Sequence, residues 1–208
     1  MLSPLKSYMA VTTQAIVLKS SPFDESGRIM TLLSEQLGIC NALIRAIPPN
    51  RIDWVHASSP FFEGIYTLKK GRTDLYTFVD CSVTSYHQGL RTDYLKMKCG
   101  LDMLKAIHHF QIPQQPAPAL YKLVSCFIKE LSLSPNPLLL VIAFHFKLLR
   151  YEGIFNARYF CEGHPWDPVM IEKIATSLKF EEIYQAGSCL PEVEAVHQQL
   201  KHFIETLK

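Results

Sequence analysis

The chain has 208 residues, 48 % hydrophobic and 19 % charged, a balance that supports one or two cored domains and excludes a disordered tract. Lys and Arg number 21 against 19 Asp and Glu, a net charge of +2, so only the placement of cations, not their excess, can point to nucleic acid. The densest apolar run, Leu138–Ala143, stops at six residues before His145 and Lys147, far short of a membrane span, and with no signal-peptide core in Met1–Tyr8 a cytoplasmic protein is expected.

The front of the chain has the period of strands. Ala15–Leu18 is the first run, and the turn-rich Ser20–Gly27 is expected to be a long loop. Arg28–Leu33 alternates, with Ile29, Thr31 and Leu33 on one face, and Gly38 opens Ile39–Ile44. In the next run Phe61, Glu63, Ile65 and Thr67 alternate with Phe62, Gly64, Tyr66 and Leu68. After the turn at Lys70-Gly71-Arg72, Leu75 to Val83 alternates again. Five short strands with the longer connection after the third suit a small closed barrel over Thr13–Val83 better than a sandwich.

Beyond about residue 90 the period becomes helical. Leu95, Leu101, Leu104 and Ile107 form a stripe that ends at Ile112-Pro113, and Pro118 starts a second helix. Asn136-Pro137 combines a cap with proline at the first helical position. The helix it opens, to about Arg150, is apolar nearly all round and belongs in the middle of a bundle. Gly153 ends it. Asp167-Pro168 and Leu190-Pro191 open two more, the last with Val193, Val196, Leu200, Phe203 and Leu207 in its stripe. The domains are therefore 1–85, a barrel, and 86–208, α-helical.

Catalytic patterns are absent: no G-x-S-x-G, P-loop, G-x-G-x-x-G or H-E-x-x-H occurs. Asp24 and Glu25 are adjacent carboxylates better read as a loop cap or an ion pair to Arg28. His108-His109 point about 100° apart on a helix and cannot chelate one ion well. Cys161 with His164 offers only two ligands. The six cysteines (Cys40, Cys81, Cys99, Cys126, Cys161, Cys189) form no C-x-x-C pair and read as reduced thiols, mostly core filler. No cofactor or metal is expected.

The cations are more informative by position. Lys19, Arg28, Arg45, Arg51, Lys69, Lys70 and Arg72 fall at strand ends or turns of the barrel, with Phe23, Tyr66, Tyr76 and Phe78 interleaved. A cationic groove with aromatic platforms suits single-stranded nucleic acid, which needs phosphates neutralised and bases stacked. Against this, turns favour Lys and Arg anyway, and half of those aromatics are needed to fill the barrel. Arg91, Lys96, Lys98 and Lys105 give the first long helix a cationic side, which most simply is a solvated face.

An ordered set of motifs then resembles one family. Ala15-Ile16-Val17-Leu18-Lys19, Pro22 to Ile29 with its Glu25-Ser26-Gly27-Arg28, Thr31 to Glu35, and Gly38 are similar to the opening of RecO, the bacterial recombination mediator and DNA-repair family. Ser59-Pro60-Phe61 resembles that family's entry to its fourth strand. Gly89 to Asp93 resembles the start of its helical domain, and Phe144 to Gly153 its central helix. The resemblance implies an α+β protein, an N-terminal five-stranded oligonucleotide-binding (OB) barrel followed by an α-helical C-terminal domain.

By the same resemblance it would bind single- and double-stranded DNA without catalysis and anneal complementary strands. It would partner a RecR-like protein and the tail of single-strand-binding protein, and so help load RecA. Phosphate-holding residues would be Lys19, Arg28, Arg45, Arg51, Lys69, Lys70, Arg72 and Arg91. The chain departs from the family in three places. Only Cys161 stands where many relatives carry a four-cysteine zinc module. Ala46 and Pro48-Pro49 thin the basic loop after the third strand. Val141-Ile142-Ala143 replace residues that are often basic and serve the tail of single-strand-binding protein. The thinned loop supports an alternative, a protein-interaction scaffold of the repair complex with little direct DNA binding. An unrecognised nuclease would need a carboxylate cluster that the sequence lacks.

Overall fold

A computed structural model describes residues 10–71, 73–110, 115–162, 166–190 and 192–207. The strands are β1 (Ala10–Phe23), β2 (Gly27–Ser34), β3 (Gly38–Ile44), β4 (Glu63–Lys70) and β5 (Leu75–Ser85), and they close into a barrel in the order β1-β2-β3-β5-β4. Neighbours are antiparallel except β3 and β5, whose parallel pairing (Asn41↔Leu75 to Leu43↔Thr77) closes the cylinder. This is an OB-fold barrel.

The expected long loop at Ser20–Gly27 is instead strand: β1 continues through Ser20-Ser21-Pro22-Phe23, pairing with β2 up to Phe23↔Gly27, and only Asp24, Glu25 and Ser26 turn. Pro22 suggested a loop because it cannot donate to a ladder. It is tolerated because β4 pairs with β1 only as far as Ile16↔Glu63, so Pro22 has a strand on one side alone. A register shift between Val17 and Lys19 bends β1 as it passes around the barrel.

Alternation sets the interior. Ala15, Val17, Met30, Leu32, Cys40, Ala42, Ile44, Phe62, Tyr66, Leu68, Tyr76 and Phe78 fill it. Ile29, Thr31 and Leu33 therefore line the outer face of β2. A short helix, α1 (Ile52–Ala57), lies in the connection from β3 to β4. It is fastened by the Tyr66 hydroxyl, which donates to the Ala57 carbonyl at 2.7 Å, and by Trp54, edge-on to Phe78 at 4.9 Å.

The helices are α2 (Gln88–Arg91), α3 (Tyr94–Phe110), α4 (Pro118–Leu133), α5 (Pro137–Tyr151), α6 (Ala157–Cys161), α7 (Pro168–Thr176), α8 (Phe180–Gly187) and α9 (Val193–Thr206). Two compact units emerge, and the barrel's unit takes in α4 up to Ser125 as well. Within that unit the row Ile16–Leu33–Ile39 on the outer face is buried. Gly38, at φ +64°, turns β2 into β3 so close to Gln115 that any Cβ would overlap its carbonyl.

In the helical unit α5 is central, packed by α3, α7, α8 and α9, with Leu139 to Phe146, Leu148 and Leu149 all buried. Asn136 caps it, its Oδ1 accepting from Leu139 N–H at 3.2 Å, and Asp167 caps α7 through Val169 N–H at 2.9 Å. Half of the expected α3 stripe is wrong: Leu95 and Leu101 are each 38 % exposed. The buried face is carried by Cys99, Met103, Ala106 and Ile107 at three- and four-residue spacing, with small and sulfur side chains where close packing needs them. In α9 the inward residues are Val196, Leu200 and Ile204, while Leu207 is exposed. Pro191, expected at the start of that helix, lies outside the described residues. The short helices α1, α2, α6 and α8 were not apparent from periodicity.

Candidate nucleic-acid interface

Strand register separates the candidate cations into groups. On the outer surface, Lys19 of β1 shares a row with Thr31, Asn41 and Leu75 across β2, β3 and β5. Thr31 donates to Asn41 Oδ1 at 2.9 Å, which fixes the polar middle of that row. The adjacent row runs Ser21–Ile29–Leu43–Thr77–Lys69. Arg45 follows Ile44 at the end of β3, its backbone facing Gly27, which pairs with Phe23. Lys19 and Arg45 are thus exposed on the outer surface over β1, β2 and β3, a surface used by OB barrels for oligonucleotides, while Lys69 is exposed on β4.

Arg28 differs. It pairs with Pro22 and Ile44 on the row whose side chains point to the barrel interior, at the barrel's end. There it lines a 360 Å³ groove with Ile47, Pro48, Ile52, Val55 and the carboxylates Asp24 and Glu25. No ion pair from Asp24 or Glu25 to Arg28 forms among the described residues. Lys70, opposite Tyr76, is exposed at the last residue of β4. Lys19, Arg28, Arg45 and Lys70 have no carboxylate partner among the described residues.

Arg51 is already engaged. Its guanidinium binds Asp53 at 2.8 Å and Asp80 at 3.1 Å and lies over the Trp54 ring at 4.5 Å. The Arg51 hydrogen bond holds Asp53 below the usual carboxylate range, and a backbone N–H with Arg51 does the same for Asp80. Arg72 lies outside the described residues, and Arg91 is exposed at the end of α2 in the helical unit.

The aromatic platforms need correction. Tyr66, Tyr76 and Phe78 are 0, 4 and 6 % exposed and belong to the barrel interior; of the four, only Phe23, at 38 %, is available for stacking. Three bulky rings are what a five-stranded barrel needs to fill its lumen.

Glu63 is a site the sequence reading passed over. Its carboxylate accepts from the Tyr121 and Ser125 hydroxyls, both at 2.7 Å, and meets His87 Nε2 at 3.2 Å. Burial works against its charge, yet the His87, Ser125 and Tyr121 contacts prevail and its pKa is lowered. Burial and Glu63 together raise the Tyr121 phenol. These partners stand 24 to 62 residues away, so no local spacing could reveal them. The cluster fastens α4 to the barrel wall. Cys40 and Cys99 are buried thiols, Cys81 and Cys161 half-buried, while Cys126 and Cys189 are exposed, so core filler describes only some of the six. Among the described residues no three His, Cys, Asp or Glu are placed to hold a metal ion, and no helix is long and apolar enough to cross a membrane.

Fold and surface together define an OB-barrel protein with an appended helical domain and an open cationic barrel face. Residues 9–87 match the family model described as recombination protein O N terminal. Similar proteins include DNA repair protein RecO of Chlamydia pneumoniae, 23 % identical over 153 residues covering 74 % of this chain and 60 % of that protein. That of Cutibacterium acnes is 30 % identical over 120 residues, 57 % of this chain and 48 % of the relative. That of a Thermoanaerobacter species is 24 % identical over 143 residues, 68 % and 57 %. The chain is therefore similar to RecO proteins, through the family's N-terminal model over residues 9–87 and through these relatives over a longer stretch. Its matched regions span about half to three-fifths of the length of these relatives.

Proposed function

We propose that this protein is a non-catalytic recombination mediator in DNA repair, acting in the cytoplasm at the nucleoid. In this reading the barrel binds and anneals single-stranded DNA and also engages duplex. The protein works with a RecR-like partner and the tail of single-strand-binding protein to help load recombinase onto coated strands. The observation that carries the reading is the outer barrel surface, where Lys19 and Arg45 are exposed without carboxylate partners among the described residues and Phe23 is exposed on the strand that carries Lys19. Lys70 and Arg28 extend the path toward the barrel's ends, and Arg72 and Arg91 remain candidates. Arg51 is left out, since its charge is already met by two carboxylates.

Phosphate contacts release counterions, so affinity for a single-stranded oligonucleotide should fall steeply between about 50 and about 200 mM salt. Absence of binding at the lower salt, or binding indifferent to salt, would contradict the reading. A second reading, a scaffold of the repair complex with little direct DNA binding, is favoured by the burial of three of the four candidate stacking rings. It predicts capture of single-strand-binding protein with no shift of naked oligonucleotide.

A further inference from the structure

The outer barrel surface carries an exposed amide as well as cations. Asn41 of β3 is exposed in the row Lys19–Thr31–Asn41–Leu75, two strands away from Lys19. A carboxamide has one acceptor oxygen and two N–H donors to place. Thr31, 9 % exposed on β2, donates its hydroxyl to Asn41 Oδ1 at 2.9 Å. That hydroxyl has no other acceptor among the described residues, so the bond holds the amide oxygen against β2. Asn41 Nδ2, on the other arm of the amide, has no partner among the described residues. A freely swinging carboxamide offers donor and acceptor alike. This one, with its oxygen engaged, offers donors.

The surroundings suit a base. Leu43 lies on the same face two residues on, Ile29 is opposite Leu43, and Leu75 is opposite Asn41; all three are half-buried and make an aliphatic floor. Charge is uneven across it. Lys19 stands on the β1 side without a carboxylate partner among the described residues, whereas Asp74 precedes Leu75 on the β5 side. A phosphate is drawn toward β1, and its base then extends over Ile29 and Leu43 toward Asn41.

Bases differ in what they present to a donor. Cytosine, thymine and guanine each carry at least one carbonyl oxygen. Adenine carries none, and its N1 and N7 acceptors adjoin an amino group whose hydrogens meet those of Asn41 Nδ2. An asparagine that pairs with adenine answers the amino group through its amide oxygen, which Thr31 occupies here. We propose that Asn41, positioned by Thr31, reads bases on the barrel surface and favours cytosine, thymine and guanine over adenine. The inference rests on the proposed binding of single-stranded DNA by the barrel and adds what that surface selects.

The test is a fluorescence titration of the full chain with oligo(dC) and oligo(dA) of equal length, comparing the parent with Asn41→Ala, Thr31→Val and Lys19→Ala. Self-stacking of oligo(dA) is common to every protein, so the quantity compared is how the ratio of the two affinities changes from parent to variant. The preference for oligo(dC) should fall about three- to tenfold in Asn41→Ala, through weaker binding of oligo(dC). Thr31→Val frees the amide oxygen to answer adenine, so it should lower the ratio by strengthening oligo(dA), a gain that damage to the fold does not produce. Lys19→Ala should weaken both oligonucleotides alike and keep the parent's ratio. Trp54 emission checks that each variant is folded. An unchanged ratio in Asn41→Ala, or equal weakening of both oligonucleotides, would overturn the proposal and leave the barrel reading standing. A parent with no salt-dependent binding of either would remove the barrel reading and this inference together.

Discussion

The two units differ in where they place charge: the barrel's lumen holds none of the ionised groups that the helical unit buries around α5. The barrel keeps a mostly apolar lumen, its buried Thr13 and Ser34 hydroxyls bonded to each other at 2.8 Å, and leaves its unpaired cations exposed, Lys19, Arg45 and Lys70 among them. The helical unit places Asp102, His145 and His197 inside, around α5. A barrel interior is closed by its own backbone ladder and gains from being dry, whereas a bundle leaves space where helices diverge, and polar side chains can occupy it. On the proposed function, the barrel is the unit whose binding salt would read, and the bundle the unit whose stability is read by pH.

The units can be separated experimentally because each holds one tryptophan, Trp54 in the barrel and Trp166 in the helical unit. The largest effect is expected from Phe144→Ala on the central helix. Loss of a fully buried ring there should cost about 3–5 kcal/mol. In urea unfolding, the Trp166 transition should move to lower denaturant more than the Trp54 transition. Equal shifts would mean that the units unfold as one.

Acid should come next. His145, at about 3, and His197 have lowered pKa values, so the folded helical unit binds fewer protons than the unfolded chain. Its stability is complete above the unfolded value near 6.5 and falls as pH drops below it, by roughly 3 kcal/mol at pH 4 from His145 alone. Glu63 is the reverse, a carboxylate with a lowered pKa whose contribution is present above the ordinary glutamate value of 4.5 and lost as pH falls through its folded pKa. Melting followed by the two tryptophans between about pH 7 and 4 should therefore show Trp166 weakening first. In a His145→Phe variant this early loss should shrink. The smallest effect is Asn136→Ala, about 1 kcal/mol from loss of the α5 cap, read as a small shift in denaturation midpoint.

Strand count and the central helix were legible because they depend on local period: alternation for β2, β4 and β5, an all-round apolar run for α5, and Asn136-Pro137 at its start. Pro22 misled because the sequence does not state which strand edges are left unpaired. Tyr66, Tyr76 and Phe78 misled because alternation groups residues by face without naming the inner face. The charge of Arg51 was visible, but its neutralisation by Asp80, 29 residues on, was not. The Glu63 and Asp102 clusters are assembled from several elements, and no motif spacing announces them.

The central claim is that the outer barrel face, and not cationic residues in general, grips DNA. A fluorescence titration of single-stranded oligonucleotide at two salt concentrations should compare Lys19→Ala/Arg45→Ala with Arg51→Ala. The account predicts that the double variant binds about tenfold or more weakly and loses roughly 1.4 from the slope of log affinity against log salt, about 0.7 for each phosphate contact. Arg51→Ala, with its charge spent on Asp53 and Asp80, should bind nearly as the parent does. Equal losses in both variants, or a loss confined to Arg51→Ala, would contradict it.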